Sequence, residues 1–193
     1  DEDFGIRIVT SGDEVYAWQG QVETAAFISS PIPTTTAAVT RNAEVESFPT
    51  SGNIAAAAGT ISLAFAPTHT PSGTVALWGT YVDASNYTAI LHDGANLIFR
   101  KRIAASNYDA TIANAFTAGT SYKVAASWGV AGTTICLNGT IGTPHANTTS
   151  AQIAATMQFG ADGNSLQQPF AAIKSPRIWT KQLSDATLQS ITT

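Results

Sequence analysis

From Thr60 onward the chain alternates apolar and polar positions in short runs, each closed by a turn. In residues 60–67, TISLAFAP, the side chains of Ile61, Leu63 and Phe65 alternate with Ser62 and Ala64, and Pro67 ends the run. A period of two turns one face of a strand toward a core. Residues 74–81 (TVALWGTY) and 86–93 (NYTAILHD) continue the series. The second meets 97–103 (LIFRKRI) across Asp93-Gly94, a pair suited to the positive φ angles of a tight hairpin. Residues 122–129 set Tyr122, Val124, Ala126 and Trp128 on one face, and 133–142, TTICLNGTIG, turn at Asn138-Gly139, a second hairpin signal. Two more runs follow at 155–162 (ATMQFGAD) and 170–179 (FAAIKSPRIW). One helix is predicted in 183–192, LSDATLQSIT, with Ser184 as its N-cap and Leu183 packed on Leu188. Short strands at near-regular spacing, without a helical period between them, predict an all-β jelly-roll sandwich of two antiparallel sheets and exclude βαβ topology.

The front of the chain differs in kind. Residues 1–30 read as an N-terminal β arm, the end of an upstream domain or a packing hairpin, with Ile6, Ile8, Tyr16 and Trp18 forming an apolar ribbon around a TSGDE turn. A lone hairpin is marginal in water, so the arm is expected to cover the sandwich or a neighbouring chain. Residues 31–41 form a connector stiffened by Pro31 and Pro33, and the sandwich domain occupies 42–193.

Composition narrows the partners. A chain of 193 residues can bury a sizeable core without a disulfide or a structural metal. Charged residues make up only 11%, and the net charge of −4 gives no basic field for nucleic acid or an anionic membrane, so neither is expected as a partner. No run approaches a membrane span, and the acidic start lacks the basic and apolar regions of a signal peptide. The single cysteine, Cys136, sits in an alternating apolar run and reads as a buried structural thiol.

Two stretches carry a family resemblance. GIRIVTSGDEVYAWQGQVE (5–23) followed by FISSPIPTTTAAVTRNAEV (27–45) resembles the join in bacteriophage tail and other minor structural proteins, through Trp18, Gln21, Glu23, Pro33, Thr34, Thr35, Val39, Thr40 and Arg41. From Asn42 the chain is similar to the concanavalin A-like, or laminin-G-like, lectin/glucanase sandwiches. The closing segment is the most telling, with Ile178, Trp179, Leu183, Ser184 and Leu188 in matching places. Ala171-Ala172 stands where such segments usually carry glycine. The resemblance implies a virion protein, an extracellular particle component, whose partners are a cell-surface glycan or polysaccharide, other virion proteins and further copies of itself. A secreted protein is the alternative setting.

The residues themselves argue against catalysis. The glucanase branch holds its carboxylates as Glu-x-Asp-x-x-Glu, about 5 to 5.5 Å apart for retaining hydrolysis, and this string is absent. Glu44 and Glu46 share a strand face roughly 7 Å apart, with nothing aromatic or basic beside them to tune their acidity. No Gly-x-Ser-x-Gly elbow occurs, and His69, His92 and His145 fall at turns, where surface histidines are the default. Lectin-like sandwiches often hold Ca²⁺ through loop oxygens, for which Asp83 and Asp162 are the candidates, though Asp in such loops is also ordinary turn chemistry.

Glycan binding needs flat aromatic faces for sugar C–H groups and polar groups for hydroxyls. Trp78, Tyr81, Tyr87 and Tyr108 surround Arg100, Lys101 and Arg102, and an acidic or phosphorylated glycan is the preferred ligand. On a strand Arg100 and Arg102 share one face while Phe99 and Lys101 take the other, and either face can be the wet one. Trp128 and Trp179 read as core. The expected function is non-catalytic attachment to host-surface polysaccharide. The alternatives are a structural or decorating domain without a ligand and, third, a polysaccharide depolymerase.

Overall fold

The computed structural model describes residues 46–71, 73–169 and 171–193. The arm at 1–30, the connector at 31–41 and Glu44 lie outside the described residues. Eleven strands and one helix are described: β1 (Glu46–Pro49), β2 (Gly59–Pro67), β3 (Val75–Asp83), β4 (Asn86–His92), β5 (Asn96–Ile103), β6 (Ser106–Ala113), β7 (Tyr122–Gly129), β8 (Gly132–Leu137), β9 (Thr140–Ile141), β10 (Thr156–Phe159), β11 (Ala171–Trp179) and α1 (Asp185–Thr192). They form a six-stranded sheet in the order β1-β10-β3-β4-β5-β6 and a five-stranded sheet in the order β11-β2-β7-β8-β9. Strands pair antiparallel throughout. The all-β sandwich predicted from the alternation is the fold observed.

The alternating apolar positions face one another between the sheets. Ile61, Leu63 and Phe65 of β2 meet Trp78, Ile90, Leu97 and Phe99 of the opposite sheet, with Val124, Ala126, Trp128 and Ile135 alongside. Trp128 lies against Trp78 at a centroid distance of 6.5 Å and against Phe99 at 5.7 Å. Its indole N–H is shared between the carbonyls of Ala55 and Ala56. Gly59 is required beside it, because a Cβ there would stand 2.2 Å from the Trp128 ring.

The turns divide by chemistry. Asn138 and Gly139 have φ of 47° and 77°, the two positive values that a type I′ hairpin needs. Asp93-Gly94 belongs to a longer loop in which only Gly94 is positive, and the Asp93 carboxylate accepts from the Ala95 and Asn96 backbone N–H groups. Strand β6 was not expected. It follows Ala104-Ala105, both at positive φ, 48° and 66°, with no Gly or Asn to announce the turn. Neighbouring groups hold it instead: Asn86 Oδ1 accepts from Ala104 N–H, and Ser85 carbonyl accepts from Ala105 N–H.

Helix α1 begins at Ser184, whose side chain accepts from Thr187 N–H, and Leu183 and Leu188 belong to one apolar cluster. The helix covers the outside of the five-stranded sheet, placing Leu188 on Ala125 and Cys136. Cys136 is enclosed there, and burial pushes its thiol pKa up. His92 is not a surface histidine. It is buried, stacked on Phe116 at 4.0 Å, with Nδ1 accepting from Gly94 N–H and Nε2 donating to the Asn114 carbonyl.

Candidate functional site

Cross-strand register decides which of the candidate residues meet. In β5, Leu97 and Phe99 point into the core, so Arg100 and Arg102 take the outer face of the six-stranded sheet. Their neighbours there come from β4 and β6: Ala89 and Tyr87 on one side, Asp109 and Asn107 on the other. Tyr81 of β3 pairs with Tyr87, and the two rings stack at 6.1 Å with an interplanar angle of 19°. Both rings are half-buried, so part of each reaches solvent. Ala76, Ala89, Leu91 and Ile98 continue this face as a small apolar cluster against which Tyr87 packs.

The two arginines are held differently. Arg100 donates from Nε and Nη2 to both carboxylate oxygens of Asp109, at 2.9 and 2.7 Å. These bonds raise its pKa above the ordinary arginine value, with a smaller contribution from the Tyr87 hydroxyl. Arg102 donates from Nε to the Ala84 carbonyl and from Nη1 to Asn107 Oδ1, at 3.0 and 2.7 Å. A guanidinium has five N–H groups, and among the described residues no partner engages Nη2 of Arg102 beside the tyrosine pair. Among the described residues the outer face therefore sets a pair of stacked, half-buried tyrosines beside a cation, Arg102, that has no carboxylate partner.

Lys101 faces the other way. It is enclosed in the sandwich, where Nζ donates to the carbonyls of Asn147 and Thr149 at 2.9 and 2.7 Å, and burial pulls its pKa down to about 8. Tyr108 pairs with Lys101 and shares its inner orientation, packing edge-on against His145. It does not join Tyr81 and Tyr87. Trp78 does not join them either, being 0% exposed in the core. A bulge between Ala76 and Trp78 shifts the register so that Leu77 and Trp78 both turn inward. Period two then separates Trp78 from Tyr81 and sends the tyrosine out.

The loop at 160–168 forms one bank of this face. Gly79 lies so close to it that a Cβ would stand 2.3 Å from the Asp162 carbonyl group, and Gly163 at φ 90° lies against the Tyr81 backbone. Asp162 Oδ1 accepts from Asn164 and Leu166 N–H, while Asp83 accepts from Ser85 N–H and Asn86 Nδ2. Hydrogen bonding from Asn86 and then Ser85 lowers the pKa of Asp83. Each carboxylate thus serves its own turn. No group of three or more His, Cys, Asp or Glu side chains converges among the described residues. Glu46 is exposed on β1, the edge of its sheet among the described residues. The register of β5 with β6 also brings Asn107 and Asp109 to the arginines, a contact that a reading without β6 had no means of finding.

No protein-family model and no curated protein matches the chain. Solved structures do. The heptameric SAP-like pentraxin of Limulus polyphemus superposes with a TM-score of 0.54 at 15% identity, covering 73% of this chain and 72% of that one. The CBM40 module of the Ruminococcus gnavus IT-sialidase, bound to alpha2,3 sialyllactose, gives 0.57 at 14% identity, covering 72% and 84%. Domains LG4-5 of the mouse laminin alpha1 chain give 0.57 at 10% identity, covering 73% of this chain and 40% of that one. The fold is concanavalin A-like. At these identities the likeness is one of fold, and concanavalin A-like sandwiches serve lectins, carbohydrate-binding modules and glycosidases alike.

Proposed function

We propose that the chain is a non-catalytic carbohydrate-binding domain that attaches to a cell-surface polysaccharide through the outer face of its six-stranded sheet. The observation that carries this reading is the half-buried Tyr81–Tyr87 stack beside Arg102. Two parallel phenol rings present an apolar surface to sugar C–H groups and hydroxyls to their edges, and the spare guanidinium N–H groups bond a carboxylate or phosphate on the glycan. The shared fold of the sialyllactose-bound CBM40 module supports the ligand class. The sequence lacks the paired carboxylates of the glucanase branch, which supports binding without hydrolysis. The virion setting, a phage-like tail or decorating protein, rests on the resemblance in residues 5–45.

Screening the full chain against bacterial surface polysaccharides tests this reading. Binding without release of reducing sugar, weakened at least about tenfold by Tyr81→Ala/Tyr87→Ala, is the expected result. Binding that survives the double change moves the site elsewhere, and release of oligosaccharide makes the chain a depolymerase. Virion placement is checked by immunogold labelling of particles, and label confined to free protein would overturn it.

A further inference from the structure

The opposite outer face, on the five-stranded sheet, carries a second set of side chains. Among the described residues strand β11 is an edge strand, and Ile173 and Ile178 point into the core. Period two would send Lys174 and Arg177 to opposite faces. A bulge at Ser175-Pro176 inserts one residue, so that Lys174 pairs with Ala64 and Arg177 with Ser62, and both project outward. Trp179, opposite Thr60, continues the same row. It lies outside the apolar core clusters and is half-buried, not the core tryptophan that the alternation suggests.

Beside the row runs a floor of small residues, Ser62 and Ala64 of β2. Beyond it stands Lys123 of β7, also paired with Ala64, its ammonium donating to the Thr193 carbonyl at the end of α1. Two strand spacings separate Lys174 from Lys123, about 10 Å at the Cα. Among the described residues, no ion pair or hydrogen bond engages the Lys174, Arg177 or Trp179 side chains; the one ion pair there is Arg100–Asp109, on the other sheet.

Edge lysines, prolines and bulges protect a sheet against pairing with another chain, and that role accounts for the bulge and Pro176. It does not account for a half-buried indole that reaches the outer face in line with two cations that have no partner among the described residues. We propose that Trp179, Arg177 and Lys174 form a second binding site, for a segment of anionic polysaccharide, on the face opposite the tyrosine pair. The indole takes the sugar ring, Arg177 bonds a carboxylate or sulfate in a forked arrangement, and Lys174 supplies a point charge one strand repeat further on. Because Pro176 and the bulge interrupt backbone pairing along this edge, an added peptide strand is disfavoured as the occupant. The inference is independent of the tyrosine site, and a domain with two such faces bridges neighbouring polysaccharide chains.

The test titrates the full chain with polygalacturonate, dextran sulfate and neutral dextran. Lys174→Ala/Arg177→Ala should weaken polygalacturonate binding at least about tenfold, through the loss of charge-assisted bonds. Trp179→Ala should weaken it several-fold while Trp179→Phe retains most of it, and both losses should recur in the Tyr81→Ala/Tyr87→Ala background, whose own loss reports the tyrosine site separately. Unchanged binding in the Lys174/Arg177 variant overturns the site. So does loss in that variant with no effect of Trp179→Ala, which is ion exchange at a basic surface, or equal binding to phosphatidylserine vesicles or single-stranded DNA. If Tyr81→Ala/Tyr87→Ala abolishes polygalacturonate binding, the tyrosine face is the only site and the second is refuted.

Discussion

Trp78 is enclosed between the two sheets against Trp128, whereas Trp179 lies half-buried on the outer face of a strand that is an edge among the described residues. Both stand in nine-residue strands. What separates them is the position of the strand and of its bulge. β3 is flanked by β10 and β4, and its bulge turns two successive large side chains, Leu77 and Trp78, into the core. β11 has one neighbour among the described strands, and its bulge turns cations outward while keeping Ile173 and Ile178 inside. Composition puts an indole in each strand, and register decides which one can meet a ligand.

The strongest way to break that comparison is to truncate each indole. Trp78→Ala should cost about 3–5 kcal/mol, the range for a buried aromatic that leaves a cavity, and Trp179→Ala less than about 1 kcal/mol, both read from urea denaturation. Trp78→Phe should recover part of the loss, because the Trp78 Nε1–H is buried with no partner among the described residues and its removal relieves a desolvated donor. Equal losses at the two positions would contradict the assignment of one to the core and the other to the surface.

The same dependence on register explains how much could be read beforehand. Alternation at Ile61/Leu63/Phe65 and Tyr122/Val124/Ala126/Trp128, with Asn138-Gly139 between strands, was sufficient for the sandwich, because each feature is local in the chain. Tyr81, Tyr87, Arg100 and Arg102 were legible as chemistry but not as a surface. Which face of β5 is wet depends on strands far along the chain, and Arg100's carboxylate partner lies on β6, which the turn residues conceal. Trp78 and Tyr108 were grouped with them by sequence proximity, which a strand does not respect.

Next in size comes the difference between the arginines. An exposed guanidinium contributes little to folding, so both side chains would be expendable if both were free. Arg100 instead shares two bonds with Asp109, each partner about three-quarters buried, at 21% and 24% exposure. Arg100→Ala should cost about 1–2 kcal/mol and leave Asp109 unpaired, while Arg102→Ala should cost under about 1 kcal/mol. Melting curves distinguish the two, and glycan affinity should rank them in reverse, with Arg102→Ala the more damaging.

Lys101 sharpens the contrast between the faces of β5 by about 1 kcal/mol. Burial lowers its folded pKa to about 8 from the ordinary 10.5, so between these values the unfolded chain binds more protons than the folded one. Stability should therefore rise from pH 8 to pH 10.5, on the order of 1 kcal/mol after solvent screening is allowed for. Tyr108 pairs with Lys101, with His145 behind it, so the comparison is with Lys101→Met, which retains those groups and should lack this increment. Parallel urea midpoints for the two proteins across that window would instead place the ammonium in solvent, on the wet side with Arg100 and Arg102.

The smallest effect belongs to the turn that builds the tyrosine face. Ala104 and Ala105 hold positive φ, which costs a residue with a Cβ about 1–2 kcal/mol, and glycine avoids that cost but loses more chain entropy, about 0.5–1 kcal/mol. Ala105→Gly should then stabilise by about 0.5 kcal/mol, the difference between these terms. Asn86→Ala should act in the opposite direction, because its Oδ1 accepts from Ala104 N–H and its Nδ2 donates to Asp83, tying the β3–β4 and β5–β6 turns together. The readout is local as well as global. Amide exchange at Ser106 to Asp109 should slow in Ala105→Gly and quicken in Asn86→Ala, since these residues set Asn107 on Arg102 and Asp109 on Arg100. If exchange in β6 ignores both changes, the pairing of β5 with β6 rests on its strand contacts alone, and the turn plays no part in orienting the arginines.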